Sequence, residues 1–164
     1  MILVLLAPAA ATARDVPEQW ATVNLCDTLK RPDTLGIRAS MPGTPKGTRM
    51  SMRFRVQFKA ADGWEDVKGA NSGWQPAGSA HGLPAESGWS FSFAHPSTPV
   101  TLRGMVQLRW RKGTTVVRQV ELPTEAGHRS SAGADPPDYS AATCTLGVTG
   151  VITNDPRLFA YLNP

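Results

Sequence analysis

Polar and apolar residues alternate one by one through the middle of the chain. From Met50 to Lys59 the run MSMRFRVQFK sets Met50, Met52, Phe54, Val56 and Phe58 against Ser51, Arg53, Arg55, Gln57 and Lys59. A period of two marks a strand with one buried face, because successive side chains of an extended chain point to opposite sides. A helix would scatter the same apolar residues around its circumference. The run VTLRGMVQLRWR, from Val100 to Arg111, repeats the pattern. Val100, Leu102, Val106, Leu108 and Trp110 share one face, Arg103, Gln107, Arg109 and Arg111 the other, and Gly104 is expected at a bulge. Lys112-Gly113 reads as a tight turn into Thr114 to Leu122, completing a hairpin. Shorter strands are expected at Ala21–Cys26, Leu35–Ala39, Trp74–Gly78, Trp89–Ala94 and Ala141–Val148. No stretch from 14 to 150 has helical periodicity. About eight short strands, each with one apolar face, predict an all-β chain folded as an antiparallel β-sandwich.

Several stretches stand apart from this pattern. Residues 60–90 are rich in turn formers, and strands are hard to place there. Residues 123–138, PTEAGHRSSAGADPPD, form a long polar loop of the kind that is functional or disordered. Residues 154–164 read as a short tail. Asn154 or Asp155 suits an N-cap and Pro156 suits N1, so a short helix, Arg157 to Leu162, is expected to lay Leu158, Phe159 and Leu162 on the body. Residues 2–13, ILVLLAPAAATA, are apolar and end in Ala11-Thr12-Ala13, a small-residue cleavage pattern. Residues 1–13 are therefore expected to be a signal peptide, although no basic residue precedes the apolar run; the alternative is a buried first strand. The run is shorter than the roughly 20 residues a membrane span needs. No Cys follows it to carry a lipid, and no apolar anchor closes the C-terminus. The reading is an exported sandwich domain, residues 14–153, secreted or held at the cell envelope without a membrane anchor.

The chain has 164 residues, 41% hydrophobic and 18% charged, which suits one domain with a real core and excludes wholesale disorder. Two cysteines are too few for a disulfide-dense mini-protein or a thiolate metal site. In an oxidising compartment Cys26 and Cys144 are expected to pair. The chain-entropy model values closure of such a long loop at about 4.7 kcal/mol. In the cytosol the same residues would be two buried thiols.

The run MSMRFRVQF, then Gly63-Trp64, Gly73-Trp74, RGMVQLRWRKG and a late Cys together resemble immunoglobulin-like or fibronectin-III-like β-sandwich domains. The resemblance covers about residues 20 to 146. It is narrower to versions in exported proteins of high-GC Gram-positive bacteria, and it implies no catalytic residue. The chain departs from true immunoglobulin domains in three ways. The cysteines are too far apart for the usual inter-sheet bridge, no Trp follows Cys26 at the expected distance, and Ala142 stands where the corner Tyr would be. A Cys26–Cys144 bridge is expected instead to tie the first strand to the last.

Candidate chemistry is sparse. His81, His95 and His128 do not have metal-ligand spacing, so no metal site is expected. Neither a G-x-S-x-G elbow nor a phosphate-binding loop or dinucleotide fingerprint occurs, and no cofactor is implied. Ser79 and His81 are close in sequence, which is not triad geometry. Glu65, Asp66, Glu86, Asp135 and Asp138 offer carboxylates, but none stands out as a pair. Asp135 and Asp138 fit either a calcium loop or an ordinary solvated turn. The expectation is a non-catalytic binding or structural module. The alternative is a small exported hydrolase of envelope glycans or peptides. It requires His81 or a carboxylate pair to converge with the 123–138 loop.

Two features suggest binding. Trp64, Trp74 and Trp89 each follow a Gly. They are either aromatic contacts for sugar rings or core residues that re-enter after a turn. The net charge is +4, with 12 Arg against 5 Lys. Arg38, Arg53, Arg55, Arg103, Arg109 and Arg111 fall on polar strand faces and would form a basic face if their strands are neighbours. Guanidinium forks match carboxylate and phosphate, so the expected partners are an anionic cell-wall polymer or an acidic protein. The alternative is a solvated face with cross-strand pairs. No nucleic-acid recognition motif is present.

Overall fold

In a computed structural model, residues 19–44, 46–78, 81–129 and 131–147 are described. The expected signal peptide and C-terminal tail, together with Ser79 and Val148, lie outside them. The described chain is all-β, with eight antiparallel strands: β1 (Trp20–Thr28), β2 (Arg31–Met41), β3 (Thr48–Ala60), β4 (Gly63–Pro76), β5 (Ala85–Ser92), β6 (Val100–Lys112), β7 (Thr115–Pro123) and β8 (Cys144–Leu146). A smaller sheet has the order β1-β2-β5. A larger one has the order β4-β3-β6-β7, with β8 also paired to β6. β7 covers β6 from Met105 to Lys112 and β8 covers it from Val100 to Leu102, so the two follow one another along the same edge.

The alternation puts the core between the sheets. Met50, Met52, Phe54 and Val56 of β3 and Leu102, Val106, Leu108 and Trp110 of β6 meet Val23, Leu35, Ile37, Ala39 and Met41 of the smaller sheet. Trp110 is 1% exposed, and its indole Nε1 donates to the Pro42 carbonyl at 3.1 Å, so burial leaves no orphan donor. Cys26 on β1 and Cys144 on β8 form a disulfide with Cα atoms 5.4 Å apart. It joins the first strand to the last and also links the two sheets, despite a spacing unlike the immunoglobulin one.

Several boundaries differ from those expected. The turn-rich stretch contains β4, a 14-residue strand of which only its last part was legible. β4 is an edge strand that buries just Ala70, and two register shifts interrupt its pairing with β3, so no clean alternation survives. β5 begins at Ala85 rather than Trp89. The β6–β7 turn is Gly113-Thr114, one residue later than expected, and Gly113 takes φ +57° as a two-residue hairpin requires. Gly104 is not a bulge, since β3 and β6 pair without a shift around it. It is glycine because the sheets approach closely there: a Cβ would lie 2.7 Å from both Ile37 Cδ1 and Thr124 Cγ2.

The polar 123–138 loop lies against β1. Glu125 N donates to Ala21 O at 2.8 Å and Asp135 N to Asn24 O at 2.9 Å, while Val23 and Ala141 exchange bonds of 2.9 and 3.0 Å. Thr22 Oγ1 lies 2.7 Å from Ser140 Oγ, and Asn24 Nδ2 donates to Ala132 O at 3.0 Å. β1 would otherwise be an open edge of a three-stranded sheet; these bonds pair it without a regular strand. They also satisfy Thr22 and Asn24, two polar residues buried in β1.

Candidate functional site

The odd-numbered residues of β3 and β6 face away from the core. Register places Arg49 beside Arg111, Ser51 beside Arg109, Arg53 beside Gln107, and Gln57 beside Arg103. On the far side of β3, β4 adds Trp74 next to Arg53, Asp66 next to Gln57, and Trp64 next to Lys59. On the far side of β6, β7 adds Gln119 next to Arg109 and Glu121 next to Gln107. The result is one continuous outer face with three electrostatic zones.

At the β6–β7 turn end, Arg49, Ser51, Trp74, Pro76, Arg109 and Arg111 line an open groove of about 880 Å³. The Arg109 guanidinium carbon sits 3.5 Å from the Trp74 ring centroid, a cation–π contact. Arg111 Nη2 donates to Thr114 O at 3.1 Å, and Arg53 Nε to Asn71 Oδ1 at 2.9 Å. Among the described residues no carboxylate pairs with Arg49, Arg53, Arg109 or Arg111. The Nε atoms of Arg109 and Arg111 are covered and have no partner among the described residues. The Arg109 pKa is pushed down, first by burial and then by the charges of Arg111 and Arg53. Arginine still stays protonated, so the groove keeps its positive charge.

The centre is closed. Arg55 Nη1 and Nη2 bind Asp66 Oδ2 and Glu121 Oε1, respectively. Gln57 Nε2 donates to Asp66 Oδ1 at 2.9 Å, and Gln107 Nε2 to Glu121 Oε2 at 3.0 Å. All four carboxylate oxygens are engaged, and two acids share one guanidinium. At the far end Arg103 donates through Nε and Nη2 to Gln57 Oε1 at 2.9 and 2.8 Å. Its guanidinium carbon lies 4.4 Å from the Trp64 ring centroid, and Lys59 Nζ lies 5.5 Å from it.

The structure therefore separates residues that the sequence grouped. Arg53, Arg103, Arg109 and Arg111 share the face with Trp64 and Trp74. Arg55 is on it but tied to two acids. Arg38 is on β2 of the other sheet, 3.5 Å from Glu86. Trp89 is on β5 of that sheet and 39% exposed, bordering a smaller pocket with Arg38 and Asn24. Trp64 and Trp74 are half-buried beneath cations rather than in the core. Arg49 joins the face beside Arg111, where the same alternation carried back past Met50 puts it.

The groups considered for catalysis lie in separate surroundings. His81 bridges Thr44, between β2 and β3. His95 Nδ1 is 2.9 Å from Asp33 Oδ1. His128 stacks on Trp20 with ring centroids 4.6 Å apart and approaches Glu125 at 3.3 Å. Asp135 accepts from Thr28 Oγ1 at 3.2 Å, and Asp138 adopts φ +64° within a turn. Among the described residues no three His, Cys, Asp or Glu side chains gather as metal ligands, and no helix is long and apolar enough to cross a membrane. No protein-family model matches the chain, and no curated protein sequence matches it significantly.

Proposed function

We propose that this protein is an exported, non-catalytic β-sandwich of the immunoglobulin or fibronectin-III kind that binds an anionic cell-envelope polymer through the outer face of β3 and β6. The observation that carries this reading is the groove of Arg49, Arg109 and Arg111 over Trp74, with no described carboxylate to neutralise it. On an ordinary solvated sheet, cross-strand acids pair with such cations, as Asp66 and Glu121 do with Arg55. The Cys26–Cys144 disulfide suits an oxidising compartment outside the cytosol. The apolar, small-residue start of the chain supports export in the same way.

The test is retention of the protein, starting at about residue 14, on isolated anionic wall polymer. Binding is expected at low salt and is expected to weaken as ionic strength rises, because exposed charges are screened within about 10 Å at 0.1 M. Arg109→Glu with Arg111→Glu should weaken it sharply, and Arg38→Glu, on the other sheet, should leave it intact. Equal retention of the Arg109 and Arg111 variant, or no retention of the wild type, would refute the reading. Capture of acidic proteins but not polymer would replace the polymer with a protein partner.

A further inference from the structure

We infer that the ligand is an extended polyanion gripped at two separated points: the Arg49–Arg109–Arg111 groove and a second cationic site formed by Lys59 and Arg103 over Trp64. This rests on the binding face proposed above and specifies the shape of what it takes.

The two ends of the face repeat one design. In each, β4 supplies a Trp and β6 lays a guanidinium on it: Arg109 on Trp74 and Arg103 on Trp64. In each, β3 adds a cation on the same face, Arg49 or Lys59. An aromatic ring beneath a guanidinium fixes its plane, so little side-chain entropy is lost when an oxyanion meets it. Arg103 is further oriented by its two bonds to Gln57, which engage Nε and Nη2 and leave Nη1 without a bond among the described residues.

The separation sets the ligand's size. Arg103 and Arg109 are six residues apart on one strand, which at about 3.3 Å per residue is roughly 20 Å. Between them the Asp66–Arg55–Glu121 group has two carboxylates for one guanidinium, so it gives an anion no net attraction. A compact anion therefore occupies one end only. A chain long enough to cross the centre engages both. The openness of the face points the same way: small-molecule sites enclose most of their ligand, and a flat sheet surface does not. Its affinity must come from repeated contacts along a chain. Linking two weak contacts typically raises affinity 10²–10⁴-fold without any new interaction.

The experiment measures binding of inorganic tripolyphosphate and long-chain polyphosphate to the wild type and to Lys59→Gln/Arg103→Gln. Tripolyphosphate is expected to fill the groove of both proteins with the same affinity, because the groove's three arginines outnumber the two cations at the other end. Long-chain polyphosphate is expected to bind the wild type about 100-fold tighter than tripolyphosphate. That gain should disappear in the variant, and the slope of log affinity against log salt should fall by about 2, one for each lost cation. Lys59→Gln alone removes only an exposed side chain and should lose part of the gain, which keeps the test valid if the double variant folds poorly. If the affinity rises only in proportion to phosphate number and the variant matches the wild type, the two-point grip is overturned while the binding face stands. If neither probe binds the wild type, both readings fall.

Discussion

Thr124 is the residue whose replacement most sharply tests how the segments after β7 and before β8 are clipped to β6. It is 5% exposed and follows β7 directly. Its hydroxyl accepts from Gly104 N at 3.0 Å and donates to Ala142 O at 2.6 Å, using both functions of one oxygen. Thr124→Val exchanges that hydroxyl for a methyl of similar size, so it opens no cavity and isolates the two hydrogen bonds. The Gly104 amide is buried without access to water, and leaving it unpaired costs about 1–3 kcal/mol. Ala142 is exposed, so its carbonyl can turn to water and lose only the net value of a bond, about 1 kcal/mol. The total is about 2–4 kcal/mol, a large share of the 5–15 kcal/mol typical of a domain. At roughly 2–4 °C per kcal/mol, Tm should fall by about 5–15 °C. Urea denaturation of the oxidised protein is the assay, with Thr124→Ser as the control that keeps the hydroxyl and loses only a methyl. Val must be the less stable of the two. If Val equals the wild type or exceeds Ser, the hydroxyl is not the clip and the packing of its methyl matters instead.

Gly104→Ala places a methyl 2.7 Å from Ile37 Cδ1 and Thr124 Cγ2, and overpacking of this kind should cost about 1–3 kcal/mol in the same denaturation experiment. Alkylation without reductant should label neither Cys26 nor Cys144, as read by intact mass, and Cys26→Ala/Cys144→Ala should lose about 2–5 kcal/mol of stability. Burial raises the pKa of Tyr139 above its usual value of 10.0. The unfolded chain then releases this proton first, so stability is unaffected below about pH 10 and declines as pH rises through the folded value. Tyr139→Phe should flatten that decline in alkaline unfolding curves.

The fold was legible wherever one face of a strand meets the core and the other meets water. β3 and β6 satisfy that condition along their length, and their alternation runs unbroken from Met50 and from Val100. β4 does not: with one buried residue in fourteen it has no apolar face to display, and its order comes from β3 rather than from its own pattern. β1 fails for the opposite reason. From Ala21 to Thr28 every residue is buried, because the core covers one side and the 123–141 segment packs over the rest. A polar loop whose composition reads as mobile is therefore structural. Its hydrogen bonds go to the backbone of β1 and to the Thr22, Asn24 and Thr28 side chains, and composition carries no information about those partners.

The same limit explains the site. Alternation gave the side on which each arginine lies, so Arg53, Arg103, Arg109 and Arg111 could be assigned to polar faces from the sequence. It could not give the neighbour across the strand, and the neighbour decides whether a cation is available. Arg55 and Arg53 are two residues apart on one strand and look equivalent in the sequence. β4 pairs Arg53 with Trp74, while two successive register shifts bring Asn71 opposite Arg55 and then Asp66 opposite Gln57. Arg55 is consequently held by Asp66 and Glu121, and Arg53 by a neutral amide. The irregularity that hid β4 from the sequence is thus also what sorts the cations. It gathers the acids at the centre of the face and leaves both ends positive, so straightening the β3–β4 register would alter the charge pattern without changing a single charged residue.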